Sequence, residues 1–212
     1  MSDEDLEVVV KAGTPICPTW TLVANIAEWG DAFGTPPALR DEFRRELEIA
    51  AKVIRRAWEA GVPLLIGTDS GFAATPYGEW HARELELFVR LIGMSPMEAI
   101  QAATRVSART LRNGADVGTL EAGKLADVLV VDGDPLTDIR ILQDRSRLAM
   151  VIQGGRIVDT TRPWPERKVW AYERVMMLSG LMTPAAVAAR AEPRASISGH
   201  PRSAPASGPS LQ

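Results

Sequence analysis

The sequence predicts an α/β fold that gives way to a small antiparallel β unit. An amphipathic helix runs through a glycine stop into a wholly apolar strand, and two further helical segments follow, the second with complete capping signals. After them come short β-rich runs separated by glycine turns. At ~150 residues per domain, 212 residues correspond to between one and two domains, enough to bury a core.

The elements follow in chain order. Thr14 to Trp20 is a short apolar run interrupted by Pro15 and Pro18, readable as a strand. Leu39, Phe43, Leu47, Ala50, Ala51, Ile54 and Trp58 recur at three- and four-residue steps, with Arg40, Arg44, Arg45, Lys52 and Arg55 on the other face. This spacing is an amphipathic helix, and Gly61 stops it. The apolar run Val62 to Ile66 follows and ends in Gly67-Thr-Asp-Ser-Gly71, so helix, turn and strand form the αβ step of a parallel sheet. A helix is expected from Glu79 to Leu91, with Leu85, Phe88, Val89 and Ile92 on one side. Another opens at Ser95 with Pro96 at its first position and Glu98 closing a capping box, and runs to Arg112.

Beyond Asn113 the texture becomes β. Strands are expected at Val117–Leu120, Ala126–Val131, Leu148–Ile152 and Arg156–Val158, with turns at Asp132-Gly-Asp-Pro135 and Gly154-Gly155. A last helical segment spans Pro163 to Arg190. Residues 192–212, rich in Ser, Pro, Ala and Gly, cannot bury enough apolar surface to offset ordering entropy and read as disordered.

Composition narrows the function classes. A net charge of −3, from 24 basic and 27 acidic residues, supplies no electrostatic reason to bind nucleic acid or an anionic membrane. The acidic start lacks the pattern of a secretory signal, and no segment has the ~20 apolar residues of a membrane helix. One cysteine, Cys17, excludes an internal disulfide framework and fits a reducing, cytoplasmic setting. It is expected as a buried, inert thiol. The 6 tryptophans are scattered, which favours packing over a ligand platform.

Asp69 is the leading candidate residue. A carboxylate just past the C-terminal end of a buried parallel strand stands where α/β enzymes place their chemistry, although an Asp-Ser-Gly turn that only bonds its own loop reads equally well. The triplet also occurs in aspartic proteases, but there in an all-β setting with apolar residues before the Asp; here Gly67-Thr68 precede it and helices flank the strand. Gly118 to Leu125 mimics a phosphate-binding loop, yet Leu125 replaces the metal-holding Ser or Thr, so it reads as a turn. His81 is a candidate for the mouth of the same site, or else a surface or capping residue. Glu84 and Glu86 are two apart on a helix, cannot face one another, and are expected in solvent. His200 falls in the tail.

Taken together, Ala60-Gly-Val-Pro-Leu-Leu-Ile-Gly-Thr-Asp-Ser-Gly71, His81-Ala-Arg-Glu-Leu-Glu-Leu87, Met94-Ser-Pro-Met-Glu-Ala-Ile-Gln-Ala-Ala-Thr104, the run from Val117 to Pro135 and Val151-Ile-Gln-Gly-Gly-Arg-Ile-Val158 resemble, in order, the C-terminal portion of the amidohydrolase superfamily. The likeness is to its imidazolonepropionase-like and prolidase-like members. It implies an α/β fold, the C-terminal part of a (β/α)8 metal-dependent hydrolase barrel followed by a small β-sandwich subdomain and a disordered tail. Residues 1–112 would carry the last two strands, at 14–20 and 62–68, and residues 113–160 part of the composite sandwich. Residues 161–190 would be a helical extension and 191–212 the tail.

The resemblance further implies one or two divalent metals, usually zinc, in the complete family site. Asp69 would touch the metal, take the proton of the activated water and hand it to the leaving nitrogen of a small-molecule amide, with His81 on the substrate side. The sequence departs from the family pattern in having no His-x-His and no histidine before Asp69. A catalytic zinc normally takes three protein ligands. The chain alone is therefore not expected to bind metal stoichiometrically. It is expected to need the missing N-terminal barrel half or a complementary chain, or to self-associate as a homo-oligomer. The alternative is a non-catalytic truncated remnant or interaction module.

Overall fold

The computed structural model describes residues 1–161 and 178–190, which are mixed α/β. The expected tail at 191–212, His200 with it, and residues 162–177 of the expected helical extension lie outside the described residues. Six α-helices are described: α1 (Asp3–Ala12), α2 (Thr21–Trp29), α3 (Pro37–Glu59), α4 (Arg83–Leu87), α5 (Pro96–Gln101) and α6 (Pro184–Arg190). Three strands, β1 (Val128–Val131), β2 (Leu148–Gln153) and β3 (Arg156–Ile157), form one antiparallel sheet in sequence order.

Helix α3 is the expected amphipathic helix, and its end is built by Gly61. At φ 91° this residue lets its N–H reach Trp58 C=O while Val62 N–H reaches Ala57 C=O, the paired bonds of a Schellman stop. The chain then enters the apolar run that carries Leu64. Ile16 and Leu64 form a parallel bridge, with Ile16 N–H donating to Pro63 C=O at 3.0 Å and Leu65 N–H to Ile16 C=O at 2.8 Å. The pairing is one bridge long rather than a full strand pair. Pro15, Pro18 and Pro63 have no N–H to extend the ladder.

Helix α4 begins at Arg83, later than expected, because Trp80 takes a left-handed φ of 62° that a helix cannot accept. It continues into a π-turn at Phe88–Ile92, and α5 into another at Ala102–Val106. The capping box of α5 is present: Glu98 N–H donates to Ser95 Oγ while the Glu98 carboxylate accepts the Ser95 N–H at 2.7 Å. The β2–β3 hairpin turns at Gly154 and Gly155, φ 55° and 77°, as a type I′ turn requires. The expected strand at Val117–Leu120 does not form.

Trp20, Leu47, Leu64, Leu87, Phe88 and Ile92 fill the larger apolar core, between the parallel bridge and helices α3 to α5. A second cluster gathers Ile26, Phe33, Ala73, Ala74 and Trp80 with Leu178, Met182 and Val187. The two are stitched by buried charge. Arg83 pairs with Glu28 and Glu86, Arg90 with the same two carboxylates, and Gln143 donates to Glu86 at 2.7 Å. The Arg83 guanidinium also lies 4.0 Å over the Trp29 ring, which stacks on Trp80 at 5.2 Å. Glu86, expected in solvent, is thus a partly buried member of this network. Among the described residues no helix is long and apolar enough to cross a membrane.

Candidate active site

Asp69 leaves the end of the Leu64 run in a left-handed backbone conformation, φ 47°, with its residue exposed. Its own loop holds it from behind: Thr75 Oγ1 donates to Asp69 C=O at 3.3 Å, and Gly71 N–H to Thr75 C=O at 2.9 Å. Thr19, at the end of the neighbouring run, is left-handed too, φ 53°. This conformation is unfavourable for a β-branched residue, costing on the order of 1–3 kcal/mol. Thr19 and Asp69 both line a cleft of about 270 Å³, together with Trp20, Val23, Glu46 and Leu47. Backbone strain thus gathers at the C-terminal ends of the two parallel runs.

His81 is exposed, and its Nδ1 lies 3.2 Å from Thr68 Oγ1, which is 2.6 Å from Ser70 Oγ. The imidazole therefore stands against Thr68, the residue before Asp69, which in turn bonds Ser70, the residue after it. Partial burial lowers its pKa below the ordinary histidine value, while Glu79 raises it and Arg145 lowers it. A neutral ring at neutral pH can accept as well as donate a hydrogen bond.

One expectation about a neighbouring residue is corrected. Cys17 is exposed rather than buried. Alternation explains this: Ile16 packs into the core, so Cys17 points to the opposite face, where its Sγ abuts Gly67 so closely that a Cβ there would fall 2.5 Å away. Trp80 is buried against Trp29, while Tyr77 is 69% exposed.

Glu84 is the larger correction. It is fully buried, not solvated, and its carboxylate accepts the N–H groups of Trp20 and Thr21, both at 2.9 Å, and the Thr21 hydroxyl. Those are the free donors at the start of α2, a helix with no side-chain cap of its own. Glu84 thereby fixes the segment that follows strained Thr19. Neither Glu84 nor Thr19 carries a local sequence signal, because each role depends on residues far along the chain.

Burial raises the Glu84 pKa from the ordinary carboxylate value of 4.5 to about 7, and the Thr21 and Trp20 hydrogen bonds offset only part of that. The folded chain thus keeps a proton that the unfolded chain releases. Stability from this group is fully present below about pH 4.5 and is lost as pH rises toward 7, by about 3 kcal/mol across the window. Glu84→Gln should abolish that slope. Urea unfolding at pH 5 and pH 7.5 measures it, and an unchanged slope in the variant removes Glu84 as its source.

A complete metal centre does not assemble from these residues. Among the described residues no three of His, Cys, Asp and Glu converge on one point, short of the three ligands a catalytic zinc takes.

The family model of the amidohydrolase family matches residues 4–158. Ochratoxinase of Aspergillus niger is 35% identical over 118 residues, 54% of this chain and 24% of that protein. Imidazolonepropionase of Syntrophobacter fumaroxidans is 40% identical over 113 residues, 53% of this chain and 26% of that protein. The crystal structure of a Xaa-Pro dipeptidase with methionine bound in its active site superposes with a TM-score of 0.61 at 29% identity, covering 75% of this chain and 38% of that one. The chain spans about a quarter of the length of the curated relatives it matches. With the family model covering most of its length, this chain belongs to the amidohydrolase family.

Proposed function

We propose that this chain is the C-terminal portion of an amidohydrolase that hydrolyses a small non-peptide or dipeptide-like amide in the cytoplasm. In this reading residues 1–112 supply the last two strands of a (β/α)8 barrel and residues 113–160 part of a composite β-sandwich. The observation that carries it is Asp69, exposed and left-handed at the end of a run paired in parallel with its neighbour. Its carboxylate takes a proton from the water that attacks the amide carbon. As the C–N bond breaks, it returns that proton to the leaving nitrogen. His81 faces the substrate, where a neutral ring can hydrogen-bond a polar group of the amide. Asp69 would also contact the metal, zinc in most such enzymes, and the remaining ligands would come from protein outside this chain. The relatives are named for three different substrates, so the proposal stops at the class of small amides.

The absence of a three-ligand cluster among the described residues favours a second reading for the chain on its own, a non-catalytic remnant or interaction module. The DNA upstream of the Met1 codon separates the two. A continuing frame that encodes a His-x-His and two later histidines supports the enzyme. A genuine start with no adjacent complementary gene supports the remnant.

The proposal also bears on the isolated chain. Helix α1 buries none of its side chains, the parallel bridge has open edges, and the sheet leaves Ile157 70% and Leu129 46% exposed. Apolar surface and unpaired backbone of this kind are covered in a complete barrel and its completed sandwich. The purified chain is expected to sediment as an oligomer or to unfold over a broad range. A sharp, cooperative transition from a dilute monomer overturns the partial-barrel reading.

A further inference from the structure

Residues 178–190 lie beyond the stretch that matches the family, which ends at residue 158. Three of their side chains are nevertheless buried: Met182 is 0% exposed, Leu178 5% and Val187 7%. What they bury against is the loop that carries the candidate site. Met182 N–H donates to Ala73 C=O at 2.8 Å, and Met182 C=O accepts the indole N–H of Trp80. One residue of the segment thus holds both the middle and the far end of loop 70–80. Ser179 N–H donates to Phe33 C=O at 2.6 Å, and Arg190 lies 4.8 Å over the Phe33 ring, securing the segment on either side. Thr183 caps α6, its Oγ1 accepting Ala186 N–H at 3.1 Å.

The consequences run through the loop to the two candidate residues. Beside Ala73, Ala74 C=O accepts the amide of buried Asn25 at 2.7 Å. Next to Ala74 stands Thr75, whose hydroxyl holds the Asp69 carbonyl. At the other end, Trp80 directly precedes His81 in the chain. Asp69 and Trp80 both occupy left-handed backbone, φ 47° and 62°. Such conformations persist only where the surroundings over-determine them. The indole hydrogen bond to Met182, the stack on Trp29 and the apolar seat formed by Leu178, Met182 and Val187 do this for Trp80.

We propose that residues 178–190 are a strap that sets the positions of Asp69 and His81 by fixing loop 70–80 from behind, with Met182 and Trp80 as its positioning residues. The proposal rests on Asp69 and His81 belonging to the site. It goes beyond the family assignment, because the strap is outside the family match.

The test compares the full chain with Met182→Ala, Trp80→Phe and a chain ending before Leu178. Trp80→Phe keeps an aromatic ring and removes the N–H that Met182 accepts. Amide hydrogen exchange is read in residues 69–81, with β1 and β2 as the folded reference. Exchange in 69–81 is expected to quicken at least ~10-fold in the shortened chain and in Met182→Ala, and less in Trp80→Phe, with β1 and β2 unchanged. The shortened chain also lacks His200, leaving His81 as its one histidine. The His81 ring resonance should move as the ring loses its fixed place against Thr68, a change that a purely stabilising segment would not produce.

Unchanged exchange in 69–81 with an intact hairpin overturns the strap. If the shortened chain fails to fold, the two full-length substitutions decide alone. In a preparation that turns over an amide, Trp80→Phe should lower kcat through Asp69 and raise KM through His81, whereas unchanged kcat and KM overturn the positioning role. Asp69→Asn separates the two layers. Normal turnover in that variant, with loop exchange quickened by strap removal, brings down the site reading and the proposal with it. Lost turnover beside unchanged loop exchange brings down the strap alone.

Discussion

Asp69→Asn, placed in a complete and active enzyme, should lower kcat by several orders of magnitude, on the order of 10²–10⁴-fold for the loss of a general acid–base. Asparagine is the informative replacement. It is nearly the same size and tolerates left-handed backbone, so φ 47° at this position is not newly strained. Asp69 is exposed, and its loop is held through its carbonyl rather than its carboxylate, so the fold should be untouched. Steady-state kinetics with a panel of small amides, beside a circular dichroism spectrum, makes the measurement. Turnover near that of the unmodified enzyme would remove Asp69 from the chemistry and leave its loop as a simple turn.

Arg83→Ala should produce the largest loss of stability, about 3–5 kcal/mol, because it strips a buried cation from two carboxylates. Arg83 is 3% exposed between Glu28 and Glu86, and its guanidinium also covers the Trp29 ring. Removing it leaves Arg90 alone to neutralise both acids and opens a gap beside stacked Trp29 and Trp80. The contrast is Arg140→Ala. That residue pairs with Asp138 at the surface, the side chains 67% and 48% exposed, and should cost less than about 1 kcal/mol despite its good geometry. Urea unfolding of the full chain followed by tryptophan fluorescence compares them. Similar midpoints for the two variants would mean that the buried network contributes no more than a surface pair.

These expectations draw on different amounts of sequence information. Ser95, Pro96 and Glu98 announce the start of α5 because a capping box is a contract between residues three apart. Gly61 and the Gly154-Gly155 turn were equally legible, since only left-handed backbone completes those turns and glycine enters it freely. The same local logic applies to α1, where Ser2 and Asp5 form a capping box. Helix α2 had no such signal. Its cap is Glu84, 63 residues away from Thr21, and two glutamates spaced on a helix look like solvent-facing charge until the tertiary partner is known.

The site divides in the same manner. The place of Asp69 at the exposed end of an apolar run was legible because an apolar run ending in a glycine-flanked carboxylate is a contiguous pattern. That His81 stands against Thr68, that Thr19 shares a cleft with Asp69, and that Met182 grips both Ala73 and Trp80 depend on contacts across tens of residues, which no local spacing encodes. By itself the sequence determined where α3 stops, where α5 starts, which face of α3 is apolar and which loop bears the candidate acid, since these follow from periodicity and backbone conformation over a few residues. Only the tertiary structure decided which charges are buried, which strained residues are held and by what. Burial and hydrogen bonding are properties of groups brought together by folding, and the free energy of a charge or a left-handed residue is set by those neighbours.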